Sequence, residues 1–118
     1  IPNTDSNGVY LRGCRSLGEK GHPARYPSKL PEFFIKMLTD PGDVVVDIFA
    51  GSNTTGQVAE NLGRKWRSFE VRLDYLATSA FRFLDSDVSD AELHAVHAAI
   101  LAGQTQDLSD QFVAAAAE

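Results

Sequence analysis

The sequence has 118 residues, 43% hydrophobic and 23% charged, with a net charge of -5 and a single cysteine. These values leave room for one domain and exclude wholesale disorder, a disulfide-stapled scaffold and a membrane-spanning helix, since no apolar run approaches the ~18–20 residues a span requires. The charge is uneven: residues 1–36 carry six Lys or Arg against three acids, and residues 83–118 carry seven acids with no Lys or Arg. The whole chain is therefore not a basic phosphate binder, although its first third either lies beside a phosphate backbone or forms an ordinary solvated surface.

The chain opens on Ile1 and its one methionine is Met37, the pattern of a fragment, a processed chain or a trimmed one. The start lacks the basic-then-apolar segment of a secretory leader, and a lone Cys14 predicts a reducing compartment. Residues 1–27 hold three of the five prolines and four of the nine glycines, which predicts loop and extended chain with at most a short strand near Val9–Arg12.

Leu30, Phe33, Phe34, Met37 and Leu38 follow helical spacing and predict one apolar face, with Ser28 as the cap and Pro31 in the first turn. Asp40-Pro41-Gly42-Asp43 ends that helix. Val44 to Phe49 is short and β-branched enough for a buried strand. A small-residue turn follows, then a helix from Thr54 to Leu62 closed by Gly63. Trp66 to Val71 reads as a second strand. Leu73, Leu76, Ala77, Ala80, Phe83 and Leu84 mark another helix face. Ser89 and Glu92 predict a capping box ahead of the stripe Leu93, Val96, His97, Ile100 and Leu101, ended by Gly103.

Helices alternating with strands predict an α/β fold with a parallel sheet. Two strands are too few for a complete sheet, so its remainder must come from the N-terminal segment, another copy or a missing chain. Residues 1–103 are expected to form the folded part and 104–118 a loosely held tail.

The informative stretch is Val44 to Gly56, a strand, a turn and a helix start. Ligands of open α/β sheets bind beside such turns. Gly51, Asn53 and Gly56 match the spacing of a G-x-G-x-x-G fingerprint, with Asn at the middle position. Asp47 opposes a phosphate and suits an ammonium group. Glu70 ends the next strand, placed to accept both hydroxyls of a ribose. A ligand with a ribose, a cationic amino-acid part and no phosphate fits, and S-adenosylmethionine is the first candidate. The alternative is a plain tight turn in which Asp47 caps the next helix and Glu70 is solvated.

The turn Asp47-Ile48-Phe49-Ala50-Gly51-Ser52-Asn53-Thr54-Thr55-Gly56 closely resembles motif I of bacterial DNA amino-methyltransferases. His22-Pro23-Ala24-Arg25-Tyr26-Pro27 resembles their motif X, and Ile1-Pro2-Asn3-Thr4-Asp5-Ser6-Asn7 resembles the linker before it. The order is that of the beta class, and Asn53 resembles the PvuII-type cytosine-N(4) group in particular. The resemblance covers residues 1 to about 84. It implies a partial Rossmann-like, S-adenosylmethionine-dependent methyltransferase fold with a parallel sheet and flanking helices.

The same resemblance implies that Asp47, Phe49, Ala50, Gly51, Ser52, Asn53 and Thr54 line the cofactor pocket. It implies that Glu70 holds the ribose and that His22, Pro23, Arg25, Tyr26 and Pro27 close the methionine side. The family's catalytic Ser- or Asp-Pro-Pro-aromatic tetrapeptide is absent, because no two prolines here are adjacent. No catalytic residue is therefore assigned, and no target-recognition part is recognised.

The expected protein is the cofactor-binding part of a bacterial or phage-like cytoplasmic enzyme of restriction-modification. Its expected substrate is double-stranded DNA, reached through the missing parts, and its expected partner is a complementary chain or a second copy. Rival readings are a non-catalytic or split-enzyme subunit, an adenine-N(6) methyltransferase fragment and a nucleotide-binding oxidoreductase fragment. No metal site is expected, because His22, His94, His97 and Cys14 lack ligand spacing. His97 is expected at the core border and His94 in solvent. Trp66 is expected behind the sheet, Cys14 as an inert thiol, and Arg64-Lys65-Trp66-Arg67 as a solvated turn or a phosphate patch.

Overall fold

The computed structural model describes residues 8–18 and 26–109, which divide into two compact units. The first holds residues 26–71. It contains helix α2 (Lys29–Leu38), strand β1 (Val44–Asp47), helix α3 (Thr54–Asn61) and strand β2 (Lys65–Ser68). The second holds residues 8–18 and 72–109. It contains helix α1 (Gly8–Ser16), helix α4 (Leu73–Ser79), a 3-10 turn (Ala80–Phe83) and helix α5 (Asp90–Leu101).

In the first unit β1 and β2 run parallel, with Val44 opposite Lys65, Val45 opposite Trp66, Val46 opposite Arg67 and Asp47 opposite Ser68. Alternation along a strand sends neighbouring side chains to opposite faces. Val45 and Trp66 point to the helical side and pack with Leu62 around Ile35, Val58 and Ala59. Trp66 thus sits behind the sheet, as expected.

The buried strand expected over Val44–Phe49 is corrected: β1 ends at Asp47, and Val44, Val46, Ile48 and Phe49 are exposed. A parallel strand becomes wholly buried only when both sheet faces are covered, and within this unit α2 and α3 pack on the face that carries Val45 and Trp66. Strand β2 is likewise Lys65–Ser68 rather than Trp66–Val71.

Helix α2 lies where its periodicity places it, but it buries Pro31 and Ile35. The predicted stripe of Leu30, Phe33, Phe34, Met37 and Leu38 is exposed, Leu38 at 71%. The helix is apolar on both sides, and the narrower side meets the sheet's helical layer. The Ser28 cap is also corrected. Its φ and ψ of -59° and -25° are already helical, and its side chain makes no capping hydrogen bond. A cap requires extended backbone at that position.

Arg64 is buried rather than solvated. It donates from Nε to Thr39 Oγ1 at 2.9 Å, and its two terminal nitrogens donate to the carbonyls of Thr39 at 2.7 Å and Leu62 at 2.9 Å. Those carbonyls close the C-terminal ends of α2 and α3, where helix dipoles favour a cation. Lys65 and Arg67 stay exposed.

In the second unit, Tyr10, Cys14, Phe81, Leu84, Val88 and Leu93 form the core, with Leu108 packed against it. The strand expected near Val9–Arg12 is a correction: these residues lie in α1. Tyr10 and Cys14, four residues apart, face inward together, and Gly13 between them admits the Phe81 ring. The helix face expected from Leu73 to Leu84 breaks after Ser79 into the 3-10 turn. The tighter turn buries Phe81 and Phe83 and leaves Leu73 and Leu76 exposed.

The Ser89–Glu92 capping box forms as expected, with both reciprocal bonds present. His97 is buried 6.0 Å from the Phe81 ring, and exposed His94 lies 3.1 Å from Ser16 Oγ. Cys14 is a buried thiol outside any disulfide. Among the described residues, no cluster of His, Cys, Asp or Glu could hold a metal ion, and no helix is long and apolar enough to cross a membrane.

Candidate functional site

The turn from Asp47 to Thr54 sits at the carboxyl end of the parallel pair. Asp47 is the last residue of β1, and its Oδ1 accepts the Phe49 N–H at 2.9 Å. This side-chain-to-backbone bond turns the chain locally, as Asp does when it closes on the second residue after it. Phe49 is left 84% exposed at the bend.

Two bonds then tie the turn to the segment beyond β2. The Ala50 N–H donates to the Phe69 carbonyl at 3.0 Å, and the Gly51 N–H donates to Glu70 Oε1 at 2.9 Å. Gly51 has φ of +57°, a left-handed conformation that a glycine adopts without penalty. Glu70 lies two residues past the end of β2, half-buried. It is neither at the strand terminus nor simply solvated.

Helix α3 is capped by Asn53, not by Asp47. The Asn53 Oδ1 accepts the Gly56 N–H at 3.0 Å while its backbone holds the left-handed φ of 62°. Ser52, Asn53 and Thr54 are each 4% exposed, and the Ser52 and Thr54 hydroxyls stand 3.5 Å apart. Ala50 and Gly51 are also buried. The result is a compact cradle of small side chains, with Asp47 at the end of β1, Glu70 two residues past β2 and an exposed aromatic ring beside them.

Of the other candidates, Tyr26 donates to or accepts from Thr55 Oγ1 at 2.7 Å, so the segment before α2 reaches the first turn of α3. Pro27 is half-buried, and its carbonyl accepts the Leu30 N–H at 3.1 Å. His22, Pro23 and Arg25 lie outside the described residues. Asp47, Ala50, Gly51, Ser52, Asn53, Thr54 and Glu70 gather around one turn, with Phe49 at its rim.

Two residues join this neighbourhood without having been singled out. Thr55 binds Tyr26, and the Ser68 hydroxyl donates to Asn53 Oδ1 at 2.7 Å. For Ser68 no local signal exists, because the second strand reads as Trp66 to Val71 and so puts its end three residues beyond Ser68.

Known proteins are similar to this chain in sequence and, for one solved structure, in fold. The M.PvuII type II methyltransferase of Proteus hauseri is 57% identical over 109 residues, 92% of this chain and 32% of that protein. The DNA adenine methyltransferase YhdJ of Escherichia coli K12 is 42% identical over 48% of this chain and 19% of its own. The type II methyltransferase M.BglII of Bacillus subtilis is 38% identical over 47% of this chain and 15% of its own.

A solved cytosine-N4-specific PvuII DNA methyltransferase superposes with a TM-score of 0.88, covering 92% of this chain and 38% of that one. The α/β fold is therefore that of a methyltransferase, and the chain spans about a third of the length of the relative it matches over most of its residues. The DNA methylase model N6_N4_Mtase matches residues 3–81, and with that match this chain belongs to the N6_N4 family of DNA methylases.

Proposed function

We propose that this chain is the S-adenosylmethionine-binding part of a restriction-modification DNA methyltransferase that methylates the exocyclic amine of a base, cytosine N(4). One observation carries the reading. Asp47 ends β1, Glu70 lies two residues past the end of the neighbouring parallel strand β2, and the Gly51 N–H of the buried small-residue turn after β1 holds the Glu70 carboxylate.

The residues fit the cofactor. Two carboxylates oppose a phosphate and suit an ammonium group and a ribose diol. A carboxylate has about four acceptor positions, so Glu70 takes the diol while keeping Gly51. Phe49 offers an exposed ring to a flat base. Ala50, Gly51, Ser52, Asn53 and Thr54 form the cradle wall. Tyr26 and Pro27, with His22, Pro23 and Arg25 before them, close the methionine side. The bound cofactor supplies a methyl group on a sulfonium; this chain's residues hold and orient it.

In this reading residues 1–103 form the cofactor-binding part. Double-stranded DNA is the substrate, met through polypeptide beyond these 118 residues that carries the Pro-Pro-aromatic tetrapeptide and target recognition. The exposed α2 stripe with Val44 and Val46 supports a covering polypeptide, either further chain or a complementary one, ahead of a second copy. The DNA of a bacterium lies in the cytoplasm, and that is where this reading places the enzyme. Adenine N(6) is the second reading, supported by the match to YhdJ.

Calorimetric titration of the chain against S-adenosylmethionine and NAD tests the cofactor. The expected result is binding of the former with no methyl transfer by the chain alone. Tighter NAD binding overturns the reading, and DNA methylation by the chain alone overturns the division of labour.

A further inference from the structure

Asn53 stands at the middle glycine of the fingerprint, yet its side chain is enclosed. Its Oδ1 accepts two hydrogen bonds, from the Gly56 N–H at 3.0 Å and from the Ser68 hydroxyl at 2.7 Å. An amide oxygen has two lone pairs, so both acceptor positions are filled. A Cβ on Gly56 would lie 2.6 Å from the Asn53 amide, so the helix side is closed as well. The backbone beneath is left-handed, with φ 62° and ψ 43°. Asn adopts that conformation more readily than other side chains, but at a cost relative to glycine.

The turn thus has separate ties to the β2 side. Its first half is fixed by the Ala50 N–H on the Phe69 carbonyl and the Gly51 N–H on Glu70. Its second half is fixed by the bond from Ser68, the residue opposite Asp47 in the ladder. Removing the Ser68 hydroxyl leaves Asn53 capping α3 but frees its amide from the strand.

We propose that Ser68 is a positioning residue for the cofactor turn, acting through the Asn53 amide to fix the left-handed step that aims the Gly51–Thr54 backbone. The proposal rests on the reading of this turn as an S-adenosylmethionine site. A cross-strand hydrogen bond here does what a glycine at the same place leaves to the backbone alone. Ser68 touches no ligand in this scheme, and its influence passes through Asn53.

Ser68→Val and Ser68→Thr test it, being near-isosteric and differing in the hydroxyl. The 118-residue chain is titrated with S-adenosylmethionine, and exchange of the Gly56 amide is followed by NMR without ligand. Ser68→Val is expected to bind about five- to tenfold more weakly, and Ser68→Thr within about twofold of the parent, the scale of one lost hydrogen bond. The Gly56 amide is expected to exchange faster only in Ser68→Val. In an Asn53→Gly background the Val and Thr variants are expected to bind alike, since the coupling partner is gone.

Equal affinity of the Val and Thr variants in the parent background overturns the positioning role. A parent chain that binds no S-adenosylmethionine overturns the cofactor reading and the ligand half of the proposal. The Gly56 exchange rates then decide whether Ser68 holds Asn53.

Discussion

The Gly51 amide and the Glu70 carboxylate meet at 2.9 Å, nineteen residues apart in sequence, and join the β1–α3 turn to the segment beyond β2. A backbone N–H on a carboxylate is a charge-assisted bond, stronger and more directional than a neutral one. It orients one carboxylate oxygen toward the turn and leaves acceptor capacity for a ligand.

Glu70→Gln keeps an acceptor for Gly51 but removes the charge. The expected outcome is a loss of about 1.5–3 kcal/mol in S-adenosylmethionine affinity, the range for hydrogen bonds to charged groups. Calorimetry measures the affinity, and thermal unfolding of the free chain is expected to change little. Unchanged affinity rejects the assigned role.

Arg64 is a second fixed point, since its guanidinium serves Thr39 and Leu62 at two helix ends. Arg64→Met keeps most of the stem volume and strands these acceptors. The expected cost is about 2–3 kcal/mol of stability, read as a lower urea midpoint. Arg64→Lys is expected to recover only part, because an ammonium cannot span the three acceptors in the fixed geometry of a guanidinium.

Surface charge on α2 gives the pH dependence. The Lys36 ammonium, hydrogen-bonded to Glu32 at 2.8 Å, and Lys29 at 3.5 Å hold the Glu32 carboxyl below its usual range. A lowered folded value means that the stabilisation is present above the ordinary carboxylate range and is lost as pH falls through the folded value. The pair is exposed, so the contribution is small and screened by salt. Lys36→Met is expected to return the Glu32 titration toward its ordinary position by NMR. No movement of that titration refutes the assignment.

The sequence made the site's frame readable because strand, turn and helix each carry a local signal. Val44 to Val46 are β-branched, Gly51 and Gly56 are small, and Ser89 with Glu92 forms its cap within four residues. What stayed hidden depends on distant partners. Nothing local says that α2 buries Ile35 in preference to the Phe33–Phe34 stripe, because the choice is set by the sheet's helical layer. Nothing near Arg64 says that its charge will close two helix ends. Nothing local to Asn53 says that its amide oxygen takes the Ser68 hydroxyl as well as the Gly56 N–H, because the first of these comes from the neighbouring strand. The strand expected near Val9 failed for the same reason: its β-branched start outweighed a helical pairing of Tyr10 with Cys14 that acquires meaning only against Phe81.

Gly13 gives that last point a measurable form. A Cβ built on it would fall 2.4 Å from Phe81 Cδ2, with two further ring atoms within 2.9 Å. Phe81 is fully buried, so the ring cannot swing aside without disturbing Tyr10 and Leu93 in the same core. Helix propensity alone favours Gly13→Ala by about 1 kcal/mol, since alanine is the better helix former. Overpacking opposes it at about 1–3 kcal/mol. The packing term is expected to win, and Gly13→Ala to lower the urea midpoint. The second substitution Phe81→Leu is expected to recover part of the loss by relieving the clash, although it trims the core itself. A Gly13→Ala chain more stable than the parent would mean that α1 does not press this face against Phe81.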